Sequence, residues 1–414
     1  MVSKENYSDI ITAIDVGSSK VGAVIARITS SMELEILGVG NIVSEGIKRG
    51  TIVNIQEASS SINKAIEEAE LMAGVQVSKV FVGLSGIYCE GINTKSVIAV
   101  NNKDREITEL EVKRAIEAAT ERVVPINKEV IHIIPQQYAV DSQEGIKNPI
   151  GMNGTRLEVF LRIITANITQ LQNLIKAVSK ANYEIVDFIL GSVAEGEIIL
   201  SEDEKDLGSI LIDIGGGTTE IVGYYNGNVW FNGSLPLGGL DITNDISAIF
   251  KTTPQQSEKI KKMYGHTFSA AVNDTETIQI QLINKRTKVI KRTDLAKVIE
   301  ARVEEILLEA KKMLTNSGMY ELANAGVVLT GGTALLPGIE ELTENVLDLP
   351  CRIGFVENVG GLSDIVKTPI MAKTVGLAYY PIKKSNYIIS TPEDNKPKLF
   401  EKIREFINNF FFGE

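Results

Sequence analysis

Residues 10–28, "IITAIDVGSSKVGAVIARI", have a counterpart about half a chain later in residues 209–227, "SILIDIGGGTTEIVGYYNG". In each copy an apolar run closes on an aspartate, Asp15 or Asp213, a turn of small residues follows, and a second apolar run leads away. The turn is Gly17, Ser18 and Ser19 in the first copy and Gly215, Gly216, Gly217, Thr218 and Thr219 in the second. Repetition of a whole strand-turn-strand unit predicts an internal duplication, hence two related halves.

These residue types suit one chemistry. Glycines let backbone N–H groups approach phosphate oxygens with no Cβ in the way, and the hydroxyls of Ser18, Ser19, Thr218 and Thr219 add donors. A carboxylate at the end of each first strand, Asp15 and Asp213, can hold a hydrated Mg²⁺ against the same phosphates. Two such hairpins facing each other would clamp a polyphosphate between domains. Neither is a Walker A loop, since no Gly-Lys-Ser/Thr follows, and neither opens a helix in the dinucleotide-binding manner. A third glycine turn, in "AGVVLTGGTALLPGIEEL", places Gly331, Gly332 and Thr333 after a strand ending at Thr330 and before a helix.

The rest of the chain bounds the answer. At 414 residues, 44% of them hydrophobic, it exceeds what one core comfortably serves, so at least two domains are expected. A formal net charge of -11 and a pI near 5.1 argue against a nucleic-acid partner, which needs concentrated Lys and Arg. The same acidity would repel the body from anionic lipid. Two cysteines, Cys89 and Cys351, rule out a disulfide framework and fit inert thiols in a reducing compartment. The start lacks a secretory h-region and no apolar run suggests a spanning helix, so the body is expected in the cytosol.

In order, the two hairpins and the Thr-Gly-Gly turn resemble the phosphate 1, phosphate 2 and adenosine motifs of the actin, sugar-kinase and heat-shock-chaperone ATPase superfamily. "DFILGSVAEGEIIL" is similar to its connect 1 helix and "TPIMAKTVGLAYY" to connect 2. "SEKIKKMYG" matches the helix that supplies a Glu and a Lys to the ribose and adenine side, here Glu258 and Lys261 on one helix face. "VIHIIPQQYAVDSQEGIKNPIGMNGTRLEVFLRIITA", "DLGSILIDIGGGTTEI" and "LPLGGLDITNDI" narrow the resemblance to the FtsA family of actin-like bacterial cell-division proteins. His132, Pro135 and Gly151 belong to the first of these signatures. A lone His on an apolar strand reads as structural.

The resemblance implies an α/β, actin-like ATPase fold: two duplicated domains around a nucleotide cleft, an inserted 1C subdomain and a C-terminal amphipathic helix. Subdomain 1A would take residues 7–83, 166–192 and 367–384, with 1C at 84–165. Subdomain 2A would take 206–233 and 305–366, with 2B at 234–304. It also implies ATP and Mg²⁺ as cofactors, with Lys20 and Gly239 joining the hairpin and adenosine residues around the nucleotide. For hydrolysis, connect 1 offers Glu195 and Glu197 beside Asp213 to orient a water, although Glu195 departs from the small residue the family generally carries there. Any turnover is expected to be slow, serving as a conformational timer.

The chain ends in "KPKLFEKIREFINNFFFGE". On a helix, Leu399, Phe400, Ile403, Phe406, Ile407, Phe410 and Phe411 fall within an arc of roughly 140°. The segment 398–412 is too short to span a bilayer but can lie in its interface, with Lys396, Lys398, Lys402 and Arg404 near lipid phosphates. Residues 385–397, with Pro392 and Pro397, read as a flexible linker. One such helix binds a membrane marginally, whereas a polymer holding many of them binds well.

The expected function is therefore a membrane tether for the division ring. Its implied partners are FtsZ, through 2B, other divisome membrane proteins, further copies of the chain in a filament, and anionic lipid through the tail. The basic run "NKRTKVIKR" in 2B could meet acidic groups of FtsZ, although a charge run is usually a solvated face. Two alternatives stand behind this reading. A pilus-assembly ATPase of the same superfamily would need neither the tail nor the "IIPQQYAVD" signature. A small-molecule kinase would need a general base for a substrate hydroxyl, and none stands out.

Overall fold

The computed structural model describes residues 10–29, 33–101, 103–121 and 123–387. The expected membrane helix, and the expected linker beyond residue 387, lie outside the described residues.

The duplication extends from motif to sheet. In the first half, strands Ile10–Val16, Lys20–Ile28 and Leu34–Val43 form an antiparallel meander, and Lys79–Leu84 and then Glu184–Leu190 add in parallel beside the first strand. The second half repeats this order. Ser209–Ile214, Thr219–Tyr225 and Asn228–Leu235 make the meander, and Val327–Thr330 and Cys351–Ile353 add in parallel. Antiparallel neighbours need only the short turns seen in the sequence. The parallel additions need crossovers, and in each half the crossovers carry helices and the inserted subdomain.

Helix Ile55–Ala73 covers the first sheet because facing residues are small. Gly38 and Gly40 lie on one face of their strand, and Cβ atoms there would fall 2.1 Å from Ala69 O and 1.8 Å from Ala65 O. Asn54 caps the helix by accepting the Gln56 and Glu57 amides at 3.0 and 3.3 Å.

Two helices join the halves. Gly191–Ile199 and Ala372–Tyr387 cross where Gly376 packs on Ala194, a Cβ on that glycine falling 2.4 Å from Ala194 O. One buried cluster runs through both helices into both sheets, from Ala13, Val24 and Leu190 through Val193 and Val375 to Leu211, Val222 and Val328.

The first insertion is a four-stranded sheet, in the order Cys89–Ala99, Arg156–Asn167, Lys128–Val140 and Gln143–Ile146, packed by helix Glu109–Thr120. Its Arg162 reaches the second half, donating to Asn232 Oδ1 at 2.9 Å and Trp230 O at 2.9 Å. The second insertion holds helices Gly239–Phe250 and Pro254–Tyr264 and the hairpin Thr277–Gln281 with Thr287–Lys291.

His132 is structural, as expected. It is buried in strand Lys128–Val140, its Nε2 accepts the Leu190 amide at 2.9 Å, and its ring meets Tyr380 edge-on. Cys89 and Cys351 are free, and burial pushes the Cys351 thiol up to about 12.

Three boundaries differ from expectation. The connect 1 helix begins at Gly191, because Asp187–Leu190 complete a strand that pairs with Phe81–Leu84. The third glycine turn runs into a 3-10 turn, Gly332–Leu335, and Pro337 and left-handed Gly338 follow before helix Ile339–Leu347. Helix Ala372–Tyr387 runs three residues into the expected linker.

Candidate functional site

The two duplicated turns are closed by the same hydrogen bond: Gly17 N–H donates to Lys20 O at 3.1 Å, and Gly215 N–H donates to Thr218 O at 3.0 Å. They meet turn to turn across the line between the halves. A Cβ on Gly216 would lie 2.6 Å from Ser19 Cβ, and one on Gly217 would lie 2.6 Å from Ser18 Oγ. A side chain at either glycine would push the halves apart.

The third turn is seated on the second hairpin. Thr330 pairs with Asp213 across parallel strands, and Gly331 follows with φ +84°. A Cβ on Gly331 would fall 2.1 Å from Asp213 Oδ1, so only glycine satisfies both the left-handed backbone and the close approach. Around Gly332 there is nothing within 4 Å of a Cβ.

The adenosine-side candidates close the group. Gly239 N–H donates to Gly215 O at 2.8 Å, and a Cβ on Gly239 would lie 2.6 Å from Thr333 Oγ1 and 3.6 Å from Lys261 Nζ. Lys261 Nζ donates to Gly239 O and Thr243 Oγ1, each at 2.8 Å, and pairs with Glu258 at 2.6 Å. Burial lowers the Lys261 pKa against the pull of Glu258. For Glu258, burial acts upward but Lys261, Thr243 and Lys262 together outweigh it, leaving the carboxyl below its usual range.

Not every expected hydroxyl is spare. Thr219 donates to Leu237 O at 2.9 Å, and Ser18 Oγ accepts the Gly50 amide at 2.7 Å.

Beneath the turns lies a group of charges that feel one another: Asp15, Lys20, Glu195, Asp213, Glu220 and Lys373. Burial raises the Asp15 carboxyl, with Lys373 and Lys20 opposing. Burial lowers the Lys20 ammonium, which donates to Ile370 O. Glu195 is wholly enclosed; Oε1 accepts the Thr330 hydroxyl at 2.9 Å, while Oε2 has no hydrogen-bond partner. Burial, with Asp213 adding to it, raises the Glu195 carboxyl well above its ordinary value. A group so enclosed is placed to hold a proton rather than to orient a water.

Sequence reasoning missed Glu220 and Lys373. Lys373 Nζ lies 2.5 Å from Asp213 Oδ2 and 3.3 Å from Glu220 Oε2. Glu220 carried a signal, being a carboxylate in a strand buried along nearly its whole length. Lys373 carried none, because its partners are remote in sequence. It also bears on the expected Mg²⁺. Asp213 Oδ2 already holds an ammonium, and among the described residues no group of three or more His, Cys, Asp or Glu side chains converges on a metal position. Asp213 is therefore engaged by Lys373 and the carboxylates form no direct ligand cluster, whereas a hydrated Mg²⁺ held through water against phosphates, the form expected of Asp15 and Asp213, needs none.

Comparison with known proteins agrees with this architecture. The family profile for the cell division protein FtsA matches residues 210–376, and that for the SHS2 domain inserted in FtsA matches residues 86–165. The chain is 34% identical to the cell division protein FtsA of Pseudomonas aeruginosa, over 97% of this chain and 98% of that one. It is 36% identical to that of Borreliella burgdorferi, covering 98% and 99% of the two, and 37% identical to that of Bacillus subtilis, covering 92% and 85%. Among solved structures it is similar to a PilM-PilN type IV pilus biogenesis complex, with a TM-score of 0.65 and 16% identity over 90% of this chain and 98% of that one. It is also similar to MreB5 of Spiroplasma citri bound to ADP, with a TM-score of 0.55 and 14% identity over 92% and 99%. The fold is that of the actin-like ATPases.

Proposed function

We propose that this chain, which belongs to the FtsA family of cell division proteins, binds ATP between its halves, assembles head to tail, and ties FtsZ filaments of the division ring to the inner face of the cytoplasmic membrane. One observation carries the ATP reading: two hairpins closed by equivalent hydrogen bonds meet turn to turn, with a third glycine turn seated on Asp213. That arrangement aims small-residue turns from both halves at one locus, as a polyphosphate clamp requires. A solved structure of similar fold, MreB5 of Spiroplasma citri, is bound to ADP, which is in keeping with a nucleotide ligand here. The enclosure of Glu195 supports slow turnover, in which ATP acts as a timer of the closed state.

The membrane reading rests on the apolar arc of residues 399–411 and on the family. No described helix is long and apolar enough to cross a membrane. Attachment through the tail takes effect when a filament presents many tails together. For FtsZ, the second insertion offers Lys285, Arg286, Lys288 and Lys291, all exposed on one hairpin. Arg292, the last cation of that run, is engaged within the fold by Glu276 at 2.7 Å.

Vesicles of anionic lipid, labelled FtsZ and this chain test the proposal together. FtsZ should reach the vesicles only when the full chain and ATP are both present, and Phe406→Glu with Phe410→Glu should abolish recruitment. FtsZ left in solution with intact tail and ATP would refute the tether. Recruitment untouched by the two substitutions would refute the tail.

A further inference from the structure

The duplicated hairpins differ in what stands opposite their aspartate. Asp15 has Gly22 as its direct cross-strand partner, whereas Asp213 has Glu220. Two carboxylates opposite each other on adjacent strands repel, and burial sharpens the repulsion. Consecutive residues of helix Ala372–Tyr387 meet the two versions. Thr374 Oγ1 lies 2.5 Å from where a Cβ on Gly22 would be, filling the space the missing side chain leaves. Lys373 instead sends its ammonium to both members of the charged pair, at 2.5 and 3.3 Å. Glu220 Oε1 is held from the first half by the Ser85 hydroxyl at 3.1 Å and the Gly86 amide at 2.9 Å. With side chains 14%, 6% and 2% exposed, the Lys373, Asp213 and Glu220 charges are largely shielded from water.

We infer that Lys373 is the built-in cation of the cleft: its ammonium bridges the Asp213–Glu220 pair and offsets one of its two charges where a divalent ion would otherwise be needed, so a nucleoside triphosphate binds with little dependence on free Mg²⁺. The inference rests on the ATP reading above and deepens it.

The test uses the full chain and two variants, Lys373→Met and the double change Lys373→Met with Glu220→Gln, each in EDTA and in millimolar MgCl₂. ATP binding by calorimetry and the nucleotide-free melting temperature are both read. The wild type should bind ATP within about threefold of the same affinity in the two buffers. Lys373→Met should lose at least about tenfold in EDTA and regain it in MgCl₂. Its melting temperature should fall in EDTA and rise with MgCl₂ alone, a response the wild type lacks. The double change removes the opposed charges together and should melt near the wild type, which keeps the test alive if Lys373→Met does not fold. A wild-type affinity that collapses in EDTA, or a double variant no more stable than the single, overturns the inference. Absence of ATP binding in both buffers refutes the ATP reading itself; the melting response to MgCl₂ then still decides whether Lys373 is the cation of the pair.

Discussion

Arg49 and Asp241 meet across the mouth of the cleft, with Nη2 3.3 Å from Oδ1. Arg49 sits at φ +47° in a loop tied to the first hairpin by the bond from Gly50 N–H to Ser18 Oγ. Asp241 caps its own helix through the Gly238 amide at 2.9 Å. The arginine is 61% exposed, so the pair itself is worth no more than about 1 kcal/mol. Arg49→Ala should therefore cost less than Asp241→Ala, which also loses the cap and about 1 kcal/mol with it. Urea unfolding of the two variants decides the order, and equal costs would mean that the cap contributes nothing.

Neighbouring glycines of the third turn should behave oppositely. Gly331→Ala meets Asp213 and a left-handed backbone, and should destabilise by about 2–4 kcal/mol. Gly332→Ala meets open space and should stay within about 0.5 kcal/mol of wild type while weakening ATP binding. Denaturant midpoints beside ATP titrations separate fold from site. A Gly332→Ala protein that binds ATP normally would remove this turn from the nucleotide site.

Glu195 sets a pH dependence. Its folded pKa is raised, so the native state holds a proton that the unfolded chain releases from about pH 4.5 upward. Its contribution is fully present below that pH and is lost as pH rises through the folded value. Glu195→Gln keeps the uncharged shape and should flatten that decline. Melting temperatures from pH 5 to pH 9 read the slope, and identical slopes would show that Glu195 does not titrate there.

Arg162 joins the first insertion to the second half using neutral acceptors: Asn93 Oδ1 at 2.7 Å, Asn232 Oδ1 and Trp230 O. Burial brings its pKa down to about 10. Arg162→Ala removes the donor shared by buried Asn232 and half-buried Trp230 and should cost about 2–4 kcal/mol. It should also expose the strand Asn228–Leu235 to protease. An unchanged digestion pattern would mean that the insertion is held to the second half by other contacts.

Much of this architecture was legible in order of sequence. The hairpins at Asp15 and Asp213 announce themselves because an aspartate, a run of small residues and two apolar strands are all local. The sheet order repeats for the same reason, since each strand following a tight turn has one place to go. Boundaries were less legible where local signals compete. "DFIL" is equally apolar as helix or strand, and its parallel partner Phe81–Leu84 made the choice. The helix ending at Tyr387 continued past the expected linker start because tertiary contacts such as Lys383 with Glu197, 3.4 Å apart, hold its last turns to the body.

By itself the sequence determined the duplication, the glycine turns, the family and the amphipathic arc of the tail, all of which are properties of short windows. Tertiary structure alone decided that the two turns touch, that Gly331 lies against Asp213, that Glu195 is enclosed, and that Lys373 reaches two carboxylates on the other half. The physical reason is range. Backbone preference and side-chain periodicity act over a few residues, whereas burial and Coulomb attraction act through space, between groups that only the closed fold brings within a few ångströms.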